Sequence, residues 1–161
     1  MMSVGIAAMA QSEIGAWICD SDPITNVRSA PKGAVVMALP DTCSYMLGLS
    51  SPSNGWWKID WMEAAEQGEE INLKGSPTGE YWIHHSVVGL STRNYGGQRC
   101  CLRATPSKKG KAVCWFTEEL MVNPMETKDD WVKVKAEVNG VAQVGWIEGA
   151  NLCDNPLTTC P

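Results

Sequence analysis

Phenylalanine is nearly missing from this chain: it occurs once, beside 3 tyrosines and 8 tryptophans. Aromatic bulk is therefore carried by indole rings, which pack inside a fold or lie flat as a platform for a ligand. Positive charge is also scarce. Thirteen Lys and Arg against 18 Asp and Glu leave a net charge of −5, so the basic footprint expected of a nucleic-acid or anionic-membrane binder is absent. The densest basic cluster, "KKGK" at 108–111, reads as a solvated glycine-containing turn. No apolar run is long enough to cross a bilayer. No phosphate-binding glycine loop, no CxxC spacing and no long helical periodicity are found, and histidine occurs only at 84 and 85.

Turn formers and cysteines are present in number. Fifteen glycines and 9 prolines cut the chain into short apolar runs, the pattern of an all-β fold of short strands. The seven cysteines, at 19, 43, 100, 101, 114, 153 and 160, fit an oxidising compartment where disulfides brace small domains. Their odd number leaves at least one thiol unpaired within the chain. Cys153 and Cys160 bracket the Pro-containing loop "CDNPLTTC" and form the most plausible local pair. A zinc site from Cys100, Cys101 and Cys114 with His84 or His85 is the rival reading. Neighbours on a strand point to opposite faces, so disulfide or buried thiol is preferred and no metal is expected. At the N-terminus, Val4 to Met9 followed by Ala8-Met9-Ala10 resembles the end of a secretory signal with a small-x-small cleavage site. No Lys or Arg precedes that run, and an ordinary apolar tail is the alternative.

One phrase is written twice. "NVRSAP" ends at Pro31 and "CLRATP" at Pro106, and Arg28 and Arg103 stand 75 positions apart. Trp56 of "WWKI" and Trp131 of "WVKV" are separated by the same 75. "EYWIHHSVV" at 80–88 then parallels "VGWIEGANL" at 144–152 at an offset of 64, because the first copy carries an acidic insertion at 62–72. Three motifs in one order, with the length difference in a polar stretch, mark a duplicated module. Residues 1–16 form a tail and lead-in, 17–90 a first unit, 91–98 a Gly-rich linker, and 99–161 a second unit with a Cys-containing tail. The insertion is expected to be a solvated loop, with a helical excursion or a lid over the first unit as alternatives. "VNG" before "VAQVGWI" signals a two-residue hairpin, since Asn-Gly accepts the positive φ of a type I′ turn.

These phrases, above all "TNVRSAP" with "NGWWKID" and "VGWI", resemble the bacterial SH3 domain family, here in tandem over about Trp17 to Leu152. The resemblance implies two tandem small SH3-like barrels. It further implies an exported protein, periplasmic or extracellular, whose units bind peptidoglycan or peptides and often accompany cell-wall hydrolases. The first copy departs from the pattern at "EYWI", and the second has Asp129-Asp130 where the first has Asn54-Gly55.

Strand alternation sharpens the site. It places Trp57, Ile59 and Trp61 on one face, with Trp56, Lys58 and Asp60 on the other. In the second copy Val132, Val134, Ala136 and Val138 share a face, and Trp131 lies with Lys133 and Lys135. Trp146 falls in step with Glu148, and Trp82 holds its place in the first copy. Trp56, Trp131, Trp82 and Trp146 are thus candidate ligand platforms, or covers for a barrel end or a domain contact. Catalysis is not expected. "SAPK" at 29–32 has serine acyl-enzyme letters, but Pro31 opposes the helix that chemistry requires. A Cys/His hydrolase would have to use His84 or His85, and both sit inside a repeat. The sequence reads as a non-catalytic module for cell-wall peptidoglycan, muropeptide or peptide. The alternative is a module whose Trp faces meet an exported protein partner. No cofactor is implied.

Overall fold

The computed structural model describes residues 13–161; the signal-like stretch at residues 1–10 lies outside them. Alternating apolar runs separated by Gly, Asn, Asp and Pro form strands throughout, and the described fold is all-β. The first half contains β1 (Ile14–Ile18), β2 (Ile24–Arg28), β3 (Val35–Pro40), β4 (Tyr45–Ser53), β5 (Trp56–Ala64), β6 (Glu69–Glu70) and β7 (Trp82–His84). A 3-10 turn, His85–Val87, leads into β8 (Val88–Thr92). Then follow β9 (Cys100–Arg103), β10 (Ala112–Phe116), β11 (Met121–Lys128), β12 (Trp131–Val138) and β13 (Val141–Glu148). A second 3-10 turn, Gly149–Asn151, precedes β14 (Leu152–Cys153).

The duplication is visible in the pairing. In the first half β2 pairs with β3 and meets β7 at Arg28↔Trp82; in the second, β9 pairs with β10 and meets β13 at Arg103↔Trp146. Trp56 stands opposite His84, and Trp131 stands opposite Glu148. Even the entry to each 3-10 turn repeats: His85 N–H donates to the Gly55 carbonyl at 2.8 Å, and Gly149 N–H to that of Asp130 at 2.7 Å. The two arginines of the repeated phrase have one job. Arg28 Nη1 donates to the Gly33 carbonyl and Arg103 Nη1 to the Gly110 carbonyl, each at 3.0 Å. Each guanidinium closes the Pro-containing loop that follows it.

The halves share a strand. Strand β8 pairs with β1 behind it and with β11 and β14 ahead of it, so it completes the first set of pairings and begins the second. The stretch 91–98 is accordingly no free linker. Ser91 and Thr92 belong to β8, and buried Asn94 donates to the carbonyls of Thr117 and Glu118, both at 2.9 Å. Side-chain amides satisfy the backbone of this corner where a sheet ladder cannot. The core is likewise continuous, running from Leu47, Trp57 and Ile83 to Leu102, Val134 and Ile147 in one cluster. Trp57 is fully buried, and its Nε1–H donates to the Pro124 carbonyl of β11 at 2.8 Å, joining the halves through one indole.

Two local expectations are corrected. The acidic insertion is a hairpin, with β6 paired to the end of β5 and Met62 and Ala64 buried, so it is neither a solvated loop, a helix nor a lid. Alternation in β5 also breaks after Ile59. Leu49 pairs with Ile59 but Gly48 pairs with Trp61, so Asp60 is an extra residue in the ladder. A bulge of this kind reverses the facing of everything beyond it. Trp61 therefore points outward at 38% exposure and Met62 takes the core position. The second half has no such bulge in β12, where Val132, Val134, Ala136 and Val138 are all buried as the pattern requires. The "VNG" turn forms as expected, with Asn139 and Gly140 at φ 51 and 77 and Val138 paired to Val141.

Candidate functional site

The four tryptophans singled out by pattern divide into two kinds. Trp82 and Trp146 occupy equivalent places and are buried, each 8% exposed. Both lie in mid-sheet, Trp82 paired with Arg28 and Lys58 and Trp146 with Arg103 and Lys133, and their burial means that neither is an open platform. Trp82 also donates from Nε1 to Glu80 at 3.1 Å. Trp56 and Trp131 remain half-exposed at strand starts.

The surroundings of these last two differ. Trp56 is engaged by its own half: its ring meets His84 edge-on at 5.0 Å, and His84 lies 4.4 Å from His85. His84 Nδ1 bonds the Ser86 hydroxyl at 2.8 Å. Desolvation pushes the His84 imidazole down, and that of His85 down to about 4, with His84 and Lys135 adding to the effect on His85. Gly55 is required beside them. Its φ is +82, and a Cβ there would sit 2.7 Å from the His85 ring.

Trp131 instead walls a groove of about 480 Å³ in the second half. Trp115, 43% exposed, also lines it, with Arg93, Arg99, Arg103 and Glu148. The strand period explains the convergence. Cys101 pairs with Trp115, and residues two apart share a face, so Arg99 and Arg103 flank Cys101 on the side where Trp115 stands. The guanidinium carbon of Arg99 is 4.2 Å from the Trp115 ring centre and that of Arg103 is 5.9 Å away, both within cation–π range. Trp131 also borders a second, acidic cleft with Glu13, Asp129 and Asp130.

Pattern reading thus found Trp131 but not its partners. The missed residues are Trp115 and the arginines at 93, 99 and 103. A signal existed: three arginines fall within eleven positions of an otherwise acidic chain, and "VCWF" places an indole on the strand face opposite core Phe116.

The cysteines resolve as follows. Cys153 and Cys160 form the local disulfide, with Cα atoms 5.5 Å apart, a pairing that suits an oxidising compartment. Cys19, Cys43, Cys100, Cys101 and Cys114 are free thiols of intermediate burial. Burial pushes the thiols of Cys19, Cys100 and Cys114 up, that of Cys19 to about 11, which keeps them protonated and poorly nucleophilic. Among the described residues no group of three or more His, Cys, Asp or Glu is placed to hold a metal ion. No described helix is long and apolar enough to cross a membrane.

The molecule is thus an all-β protein of two equivalently paired halves, with an arginine- and tryptophan-lined groove in the second. No family model and no curated protein matches the chain. Two solved structures, of NlpC1 and NlpC2 from Trichomonas vaginalis, are similar over 94% and 91% of it, each at 13% identity, with TM-scores of 0.32 and 0.33. The similarity takes in 50% and 49% of those chains, so this chain spans about half their length.

Proposed function

We propose that the chain is a non-catalytic binding module of an exported protein, built from tandem SH3-like units and holding a peptide or muropeptide of the cell wall. The groove between Trp115 and Trp131 carries this reading. It is concave and open, and the faces of Trp115 and Trp131 share its lining with three arginines, Glu148 and side-chain amides, so apolar surface and polar groups are both offered to a ligand. The Cys153–Cys160 disulfide supports an oxidising, extracytoplasmic setting. The non-catalytic reading is supported by the histidines. His84 Nδ1 bonds the Ser86 hydroxyl, and His85 Nδ1 is buried with no hydrogen-bond partner, so neither Nδ1 is placed on a cysteine thiol as a Cys/His hydrolase requires.

Co-sedimentation with purified peptidoglycan sacculi tests the proposal. The wild-type chain is expected to pellet with sacculi, and Trp115→Ala and Trp131→Ala, verified as folded by circular dichroism, to stay in solution. Trp56→Ala is expected to pellet normally, because that ring is turned to His84. No pelleting of the wild type rejects the wall-binding reading.

A further inference from the structure

We propose that the groove is an anion site, and that it holds a carboxylate of a bound peptide between Arg99 and Arg103. The inference rests on the binding-module reading for the class of ligand, and on four observations for the charge.

The first is the local balance of charge. The chain carries a net −5, yet three arginines line this groove against one carboxylate, Glu148. The second is that, among the described residues, no ion pair is seen between these arginines and a carboxylate; the pairs Lys58–Glu80 and Lys133–Glu126 lie outside the groove. Arg103 spends one donor on the Gly110 carbonyl, and Arg93 Nη1 is 3.4 Å from that of Ala150. A guanidinium has five N–H donors, so most stay available to a ligand.

The third is comparison with the first half. At the offset of 75, Arg99 corresponds to Ile24 and Cys101 to Asn26; the residue paired with Asn26 is Ala38, where the second half has Trp115 paired with Cys101. The first half makes the same strand pairings without the stacked pair, so the fold does not require it. The Arg103 tie, by contrast, recurs as Arg28 and belongs to the scaffold. The fourth is geometry. The guanidinium carbon of Arg99 lies 4.2 Å from the centre of the Trp115 ring, and a guanidinium held over a ring still has N–H donors for the two oxygens of a carboxylate. The indole walls would meanwhile cover the apolar part of the same ligand.

The test is an NMR titration of the 15N-labelled, disulfide-intact chain with N-acetyl-Ala-Glu, a dicarboxylate, and with its diamide, N-acetyl-Ala-Gln-amide. The indole N–H signals of Trp115 and Trp131 report on the groove. The dicarboxylate is expected to shift both saturably, and the diamide to bind about tenfold more weakly, as the loss of a charge-assisted contact implies. Arg99 is exposed and meets the fold through the Trp115 ring, so Arg99→Gln tests the charge without touching the Gly110 tie. It is expected to weaken the dicarboxylate about tenfold and leave the diamide unchanged. Equal binding of acid and diamide, or shifts confined to other tryptophans, overturns the proposal. Inorganic phosphate that displaces the dicarboxylate at equal or lower concentration rejects the assignment to a peptide carboxylate and marks a general anion pocket instead. Sacculus binding separates the two readings. Sacculi held equally by wild type and Arg99→Gln, with no preference for acid over diamide, reject the anion site and leave the wall-binding module standing. A clear acid preference without sacculus binding rejects the wall reading and supports the anion site.

Discussion

At the scale of single residues, the repeated arginine shows how a motif can mark a fold instead of a site. Arg28 and Arg103 sit in the most recognisable phrase of each copy, and each closes its own loop on a glycine carbonyl. His85 has the opposite character, being polar, half-buried and without a partner for Nδ1. Its imidazole is pushed from an ordinary 6.5 to about 4, by desolvation first and by His84 and Lys135 second. The sign follows from proton binding: the unfolded chain protonates this group near pH 6.5, the folded chain only near 4. The stabilisation is therefore complete above about pH 6.5 and is lost as pH falls toward 4. Melting temperature measured between pH 7.5 and 5 should fall for the wild type and fall less steeply for His85→Gln. Parallel slopes for the two proteins would contradict this.

At the scale of elements, β5 and β12 begin alike and end differently. The extra residue at Asp60 turns Trp61 out and Met62 in, which lets the acidic insertion continue as a hairpin instead of leaving the sheet. The Trp57 hydrogen bond to Pro124 runs from β5 to β11, the partner of β12. Trp57→Phe keeps an aromatic ring but strands that carbonyl in the core. A buried acceptor left unmet costs about 1–3 kcal/mol, so urea denaturation should show a loss of that order with an unchanged slope. A neutral result would show that water or a shifted strand reaches the carbonyl.

At the scale of the molecule, the shared β8 and the continuous core bind the halves into one cooperative unit. Leu102 is fully buried in the second half, and Leu102→Ala should cost about 2–5 kcal/mol. Tryptophans of both halves should then report a single transition, moved as a whole to lower denaturant. Two separable transitions, only one of them moved, would show that the halves fold independently. The duplication also left room for divergence. One half has Ile24 and Ala38, while the other has Arg99 over Trp115 at the equivalent pairing.

Much of the fold was legible before any coordinates. Turn residues and alternation determine the all-β class, and matching offsets at Arg28/Arg103 and Trp56/Trp131 determine the repeat, because both are local patterns that survive any packing. The Cys153–Cys160 pair was legible for the same reason, lying seven residues apart. What only the tertiary structure decided depends on pairing between distant strands. Alternation treats every residue of a strand as equivalent, so it cannot see the bulge at Asp60, which arises from register against β4. It also offered Trp82 and Trp146 as candidate platforms without showing that they are buried in mid-sheet. The groove is the clearest case. Its parts lie at 93–103, 115, 131 and 147–151, and no spacing in the sequence brings them together until β9, β10, β12 and β13 are hydrogen-bonded side by side.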